Sequence, residues 1–205
     1  MREPKSGRPT DRRGQAFTLE AVVASVVILG ALLFALQVSG VSSLAASTSS
    51  GQLLEQQESI AAGVLDSAAA NDSIDPMLRY WDDNEGTFHG SSDDEIYYTV
   101  GPPTEFGSLL NETLRDQNLA YNINIQYVDI DGTVDQQALV RNGVPSDDAA
   151  RATRTVTLYD DDRLLTADGS RSDTTLSEAS FYAPDRYPDG PLYNVVRVEV
   201  VVWPV

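Results

Sequence analysis

The chain contains no cysteine, so it has no disulfide framework, no thiolate nucleophile and no zinc–thiolate centre. Histidine is almost as scarce. His89 is the only one, and any histidine-based metal site or catalytic triad would rest on it alone. It sits in "EGTFHGSSDDE", a loop-like stretch, and reads as a surface residue. Lysine stops at Lys5; beyond position 13 the only strong bases are nine arginines, set against a large excess of Asp and Glu. A net charge of -17 repels nucleic acid and anionic lipid, which excludes both as partners of the acidic body. With 41% hydrophobic residues the chain is nevertheless rich enough to fold, and is not a disordered acidic tail.

Charge is missing in one further place. From 21 to 54 not one residue is ionisable, and the bases Arg2, Lys5, Arg8, Arg12 and Arg13 all precede that run. As a helix, 17–40 would extend about 36 Å at ~1.5 Å per residue, enough to span a bilayer. Positive charge ahead of the span places the N-terminus in the cytoplasm and the acidic body outside. A secretory signal cut near Ser43-Leu44-Ala45 and a plain single-pass anchor are two readings of this stretch. In the second, the outer portion would bind a ligand or partner and the helix would only hold it in place. Neither reading uses Glu20, the one acid at the edge of the run, whose burial in lipid would be costly.

A third reading takes in the whole string "RRGQAFTLEAVVASVVILGALLFALQ". Bases, a glycine, "QAFTLE" and then an uninterrupted apolar helix resemble the class III signal of type IV prepilins. The resemblance implies cleavage by a prepilin peptidase between Gly14 and Gln15, or alternatively between Ala16 and Phe17. It also implies retention of the apolar helix, delivery to an assembly platform, and packing against other pilin-like subunits in a filament. Glu20 would pair with the new α-amino group of a neighbouring subunit, and Ala24, Ser25, Gly30 and Ala31 would allow close helix approach. The acid-rich, lysine-poor body resembles the proteins of extreme halophiles. With "AARATRTVTLYD" and "VVRVEVVVW", the chain is similar to a haloarchaeal pilin-like family without an assigned function.

The expected organisation has three parts: a basic cytoplasmic leader over 1–14, a long helix over 15–70 with a membrane span at about 17–40, and an acidic extracellular head over 71–205. The helix pattern runs from about Thr18 to Ala70, apolar all round at first and amphipathic later through Leu53, Leu54, Ile60, Ala61, Val64, Leu65 and Ala68. Strands are expected where apolar residues alternate: Tyr121–Tyr127, Val196–Val202, Ile96–Val100 and Arg151–Tyr159. Pro102-Pro103 introduces a short amphipathic helix through Phe106, Leu110 and Leu114, and 160–191 reads as a polar surface loop. The expected class is α+β: the long helix packed on a small antiparallel sheet. Membrane lipid is an expected partner of the span, and the chain is not expected to be an enzyme or to need a cofactor.

Two motifs invite chemistry. "VDIDGTVD" resembles the first motif of haloacid-dehalogenase-type phosphatases, with Asp129 as nucleophile and Asp131 as acid/base. That family needs a parallel, doubly wound sheet, for which the strand–helix alternation is missing. Asp129, Asp131 and Asp135, like the run Asp160-Asp161-Asp162, also offer oxygen to a hard cation such as calcium. The simpler reading is Asp131-Gly132 as the tight turn of a hairpin. Asn71-Asp72-Ser73 and Asn111-Glu112-Thr113 fit the acceptor pattern for N-glycosylation. Trp81 and Trp203 read as core or interface residues.

Overall fold

The computed structural model describes residues 12–92 and 95–205, with the side chains of α1 described over 20–35 and from 51 onward. The first helix, α1, runs Arg12–Ala70 and begins upstream of the expected start. The chain divides into two compact units after Gly51.

In the first unit the described side chains are exposed, and the large apolar ones from Val22 to Phe34 are distributed around the helix. The expected membrane span is corrected here: among the described residues, no helix is long and apolar enough to cross a membrane. The described apolar side chains cover 21–35, about 23 Å of helix against a hydrocarbon core of about 30 Å.

In the second unit α1 turns one face inward. Ala61, Val64, Leu65 and Ala68, spaced to share a helical stripe, are buried in the core. The helix stops in a Schellman arrangement: the Ser73 amide donates to the Ala68 carbonyl at 2.9 Å and the Asp72 amide to Ala69 at 3.2 Å. Asp72 takes the left-handed position, φ 52°, usually held by glycine.

Next come α2 (Ile74–Leu78), β1 (Trp81–Asp82), β2 (Thr87–Phe88), β3 (Tyr97–Tyr98) and α3 (Glu105–Arg115). Thr104 caps α3 by accepting from the Gly107 amide at 3.3 Å, while Glu105 and Arg115 complement its dipole. Six strands follow: β4 (Leu119–Val128), β5 (Val134–Arg141), β6 (Ala150–Tyr159), β7 (Arg163–Leu165), β8 (Arg171–Thr175) and β9 (Leu192–Pro204).

The main sheet has the order β3-β5-β4-β9-β6. Its long pairings are antiparallel, but β3 joins β5 in parallel, so the sheet is mixed rather than purely antiparallel. Val196, Val198, Val200 and Val202 of β9 lie on one face, beside Tyr121, Ile123 and Ile125 of β4, and all seven are buried. Alternation along each strand builds this face, and the helical stripe of α1 and the apolar side of α3 belong to the same core.

The segment 160–191 is not the open loop its polarity suggests. β7 and β8 form a hairpin within it, and Leu164, Leu165, Leu176 and Ala183 are buried. The Leu165 amide donates to Arg79 O at 2.8 Å, and Trp81 Nε1 donates to Ser180 O at 2.8 Å. Trp81 also meets Phe88 and Tyr182 edge to face.

Candidate functional site

The residues singled out by the sequence fall in separate places. Gly14, Gln15, Ala16 and Phe17 belong to the helical backbone of α1, and their side chains lie outside the described residues. Glu20 is exposed and has no ion-pair partner among the described residues. Beyond it lies a sleeve of large apolar side chains: Val22, Val23, Val26, Val27, Ile28, Leu29, Leu32, Leu33 and Phe34, each between 56% and 69% exposed.

Consecutive residues of an α-helix are 100° apart, so these nine positions leave no polar face. Interleaved with them are the small residues Ala24, Ser25, Gly30 and Ala31, also exposed. Gly30 has open space where a side chain would stand. The Ser25 hydroxyl donates to the Ala21 carbonyl at 2.7 Å, which satisfies it within its own helix and suits an apolar setting.

The acidic hairpin is a built turn. Gly132, at φ 88°, donates its amide to Asp129 O at 2.9 Å, and the Asp129 amide donates to Thr133 O at 2.8 Å. Asp131 Oδ1 accepts from both the hydroxyl and the amide of Thr133, at 2.6 and 2.8 Å, and these bonds hold its carboxyl below the usual range. Asp129 and Asp135 accept from the amides that follow them. The three carboxylates therefore stabilise the connection between β4 and β5, an antiparallel pair rather than the parallel sheet a phosphatase would need. Among the described residues, no group of three His, Asp or Glu is arranged to hold a metal ion. In the run that follows β6, Asp162 accepts from the Tyr159 amide at 2.7 Å, and burial raises the carboxyls of both Asp160 and Asp162.

His89 is more enclosed than a loop histidine. Its Nε2 bonds Leu165 O at 2.8 Å and its Nδ1 lies 3.7 Å from Asp82. It pins the β1–β2 hairpin to β7 rather than opening to solvent. Trp81 and Trp203 are both buried, as their size and apolarity imply.

The two glycosylation sequons differ sharply. Asn71 is exposed at the end of α1. Asn111 lies within α3, where its Oδ1 accepts from Tyr121 OH at 2.7 Å.

Sequence reading missed one polar arrangement. Glu199 is buried on the outer side of β9, accepting from Asn124 Nδ2 at 2.9 Å and from Arg151 at 3.4 Å. The signal was a charged residue inside an otherwise valine-rich strand.

The second unit is thus a folded α and β domain, and the described part of the first is a helix with exposed apolar side chains. A family model described as "Family of unknown function (DUF7288)" matches residues 13–202, and the chain belongs to that family. No curated protein and no solved structure matches it.

Proposed function

We propose that the chain is a non-enzymatic structural subunit of a type IV pilus-like filament at the cell surface. It is exported, processed by a prepilin peptidase, handed to an assembly platform and packed against other pilin-like subunits through α1. The observation that carries this reading is the apolar sleeve over 21–35, exposed on all sides of the helix. Burying such a side chain is favourable by about 1.5–3 kcal/mol. Nine of them without cover make association with further helices the natural outcome.

The chemistry of the sleeve suits that association. Small residues lie between the large ones, and the Ser25 hydroxyl brings no unmet hydrogen bond into a bundle. Glu20 stands at the start of the sleeve with its carboxylate unpaired among the described residues. An α-amino group exposed by cleavage on a neighbouring copy would relieve the cost of burying it. The family match takes in the helix and the head together, which supports treating them as parts of one working unit.

The test is the mature N-terminus of protein taken from its own cells, read by mass spectrometry, together with the assembly of a Glu20→Ala variant. A start at Gln15 or Phe17 with the apolar helix retained is expected, along with at least tenfold less filament from the variant, roughly the loss of one buried charge partner. A start near Ala46, or an intact leader before Arg12, would sink the proposal.

A further inference from the structure

The main sheet has a second face, and only half of it is covered. At one end Val201 and Trp203 are buried. The loop after β5 lies over them: Gly143 stands against the Trp203 ring, and its carbonyl accepts from Asn122 Nδ2 at 3.0 Å. Towards the other end the strand register builds two open rows. In one, Val134 of β5 pairs with Val128 of β4, and Val195 of β9 pairs with Thr157 of β6. In the next, Arg197 of β9 pairs with Gln126 of β4 on one side and with Thr155 of β6 on the other. Of these, all but Thr157 line an open groove of about 170 Å³, with Val134 69% exposed at its edge.

Charge on these rows runs against the rest of the molecule. In a chain with 31 acids and 14 bases, the only charged residue among them is Arg197. It is exposed and has no ion pair among the described residues. The carboxylates of the nearby hairpin are bonded into their own turn.

The complementary feature is on the covering loop. Val144 is 90% exposed, an unusual position for a β-branched apolar side chain. Asp147 and Asp148, three and four residues on, are exposed and unpaired among the described residues. Loop and groove cannot meet within one chain. They lie at opposite ends of the same sheet, separated along β9 by the distance from Val195 to Val201, about 20 Å at ~3.3 Å per residue.

We propose that the open half of this face receives the Val144 loop of a second copy. Val144 enters the groove beside Val128, Val134 and Val195, and Asp147 or Asp148 reaches Arg197. Because the two surfaces differ, the contact is heterologous and repeats from copy to copy. The inference deepens the filament reading by naming a contact between heads.

The absence of cysteine makes the test direct. Full-length Val134→Cys and Val144→Cys proteins, both changed at exposed positions, are mixed in mild detergent and oxidised. A mixed disulfide dimer is expected, well above the yield from Val134→Cys with a Ser170→Cys control on the β7–β8 turn. Adding Arg197→Glu to the Val134→Cys protein is expected to lower that yield about tenfold, by placing like charges together. A mixed yield no greater than the control, or one indifferent to Arg197→Glu, overturns the docking. Filaments that still form from Arg197→Glu protein with no cross-link would remove the head contact and leave helix-driven assembly standing. A cross-link without filaments in the cell would do the reverse.

Discussion

At Gly107 the first turn of α3 passes so close to the preceding loop that a Cβ would lie 1.9 Å from the Pro102 carbonyl oxygen. No rotamer relieves a backbone clash, so the turn itself must move. Gly107→Ala is expected to destabilise the protein by about 1–3 kcal/mol, measured as a lower midpoint in urea with an unchanged slope. Wild-type stability in that variant would mean the Thr104 cap and the helix start shift freely. Gln57 presents the opposite case. It is 7% exposed at the edge of the buried stripe of α1, and its Oε1 has no hydrogen-bond partner among the described residues. An unpaired buried acceptor costs about 1–3 kcal/mol, so Gln57→Met, similar in length and free of that acceptor, is expected to raise stability by roughly 1 kcal/mol. A fall in stability would show that the amide is bonded after all. Asn111 illustrates how residue context revises a motif: its sequon is intact, but its amide is already engaged by Tyr121 in a helix, whereas Asn71 stands exposed at a helix end.

Among the elements, those written in a single period were legible from sequence. The alternation of Tyr121, Ile123 and Ile125 against three polar neighbours and the valine row of β9 identify strands, and the Pro-Pro pair ahead of Phe106 and Leu110 identifies α3. β5 was hidden because it obeys no single period. Its outer half, "VDQQ", is polar, and a bulge opposite Ile123 and Asn124 places Leu139 and Val140 both in the core. The parallel pairing of β3 was equally hidden, since nothing local to Tyr97-Tyr98 names a partner as distant as Val140 and Arg141. The 160–191 segment misled through composition: few apolar residues, but Leu164, Leu176 and Ala183 placed where they count. Of the candidate site, the apolar run and its small residues were plain in the sequence. The groove was not, because Val128, Val134 and Val195 become neighbours only when three strands align.

For the molecule as a whole, buried phenols set a limit on the alkaline side. Tyr193 donates to Ala183 O at 2.9 Å, and burial, helped by Asp185 and Asp160, pushes its hydroxyl up to about 12. Burial raises Tyr97 and Tyr182 as well. A folded pKa above the ordinary value of 10.0 means that the folded state holds its proton longer than the unfolded chain does. The contribution of Tyr193 to stability is therefore full below pH 10 and is lost progressively as pH rises from there to about 12, while those of Tyr97 and Tyr182 are likewise lost only on the alkaline side. Denaturation followed from pH 9 to 12, with tyrosinate absorbance as a second signal, should show falling stability and late-ionising tyrosines. A midpoint that stays constant across that window would count against this burial.

Among the described residues β9 follows every other strand, yet it lies between β4 and β6, which have no pairing with each other in the sheet. Until 192–204 has been synthesised, the two halves of the sheet have nothing to join them, and the valine row at the centre of the core is missing. Such long-range pairing closes slowly and late. The nascent chain therefore holds two separate halves of a sheet, and the core closes only when its central strand is made.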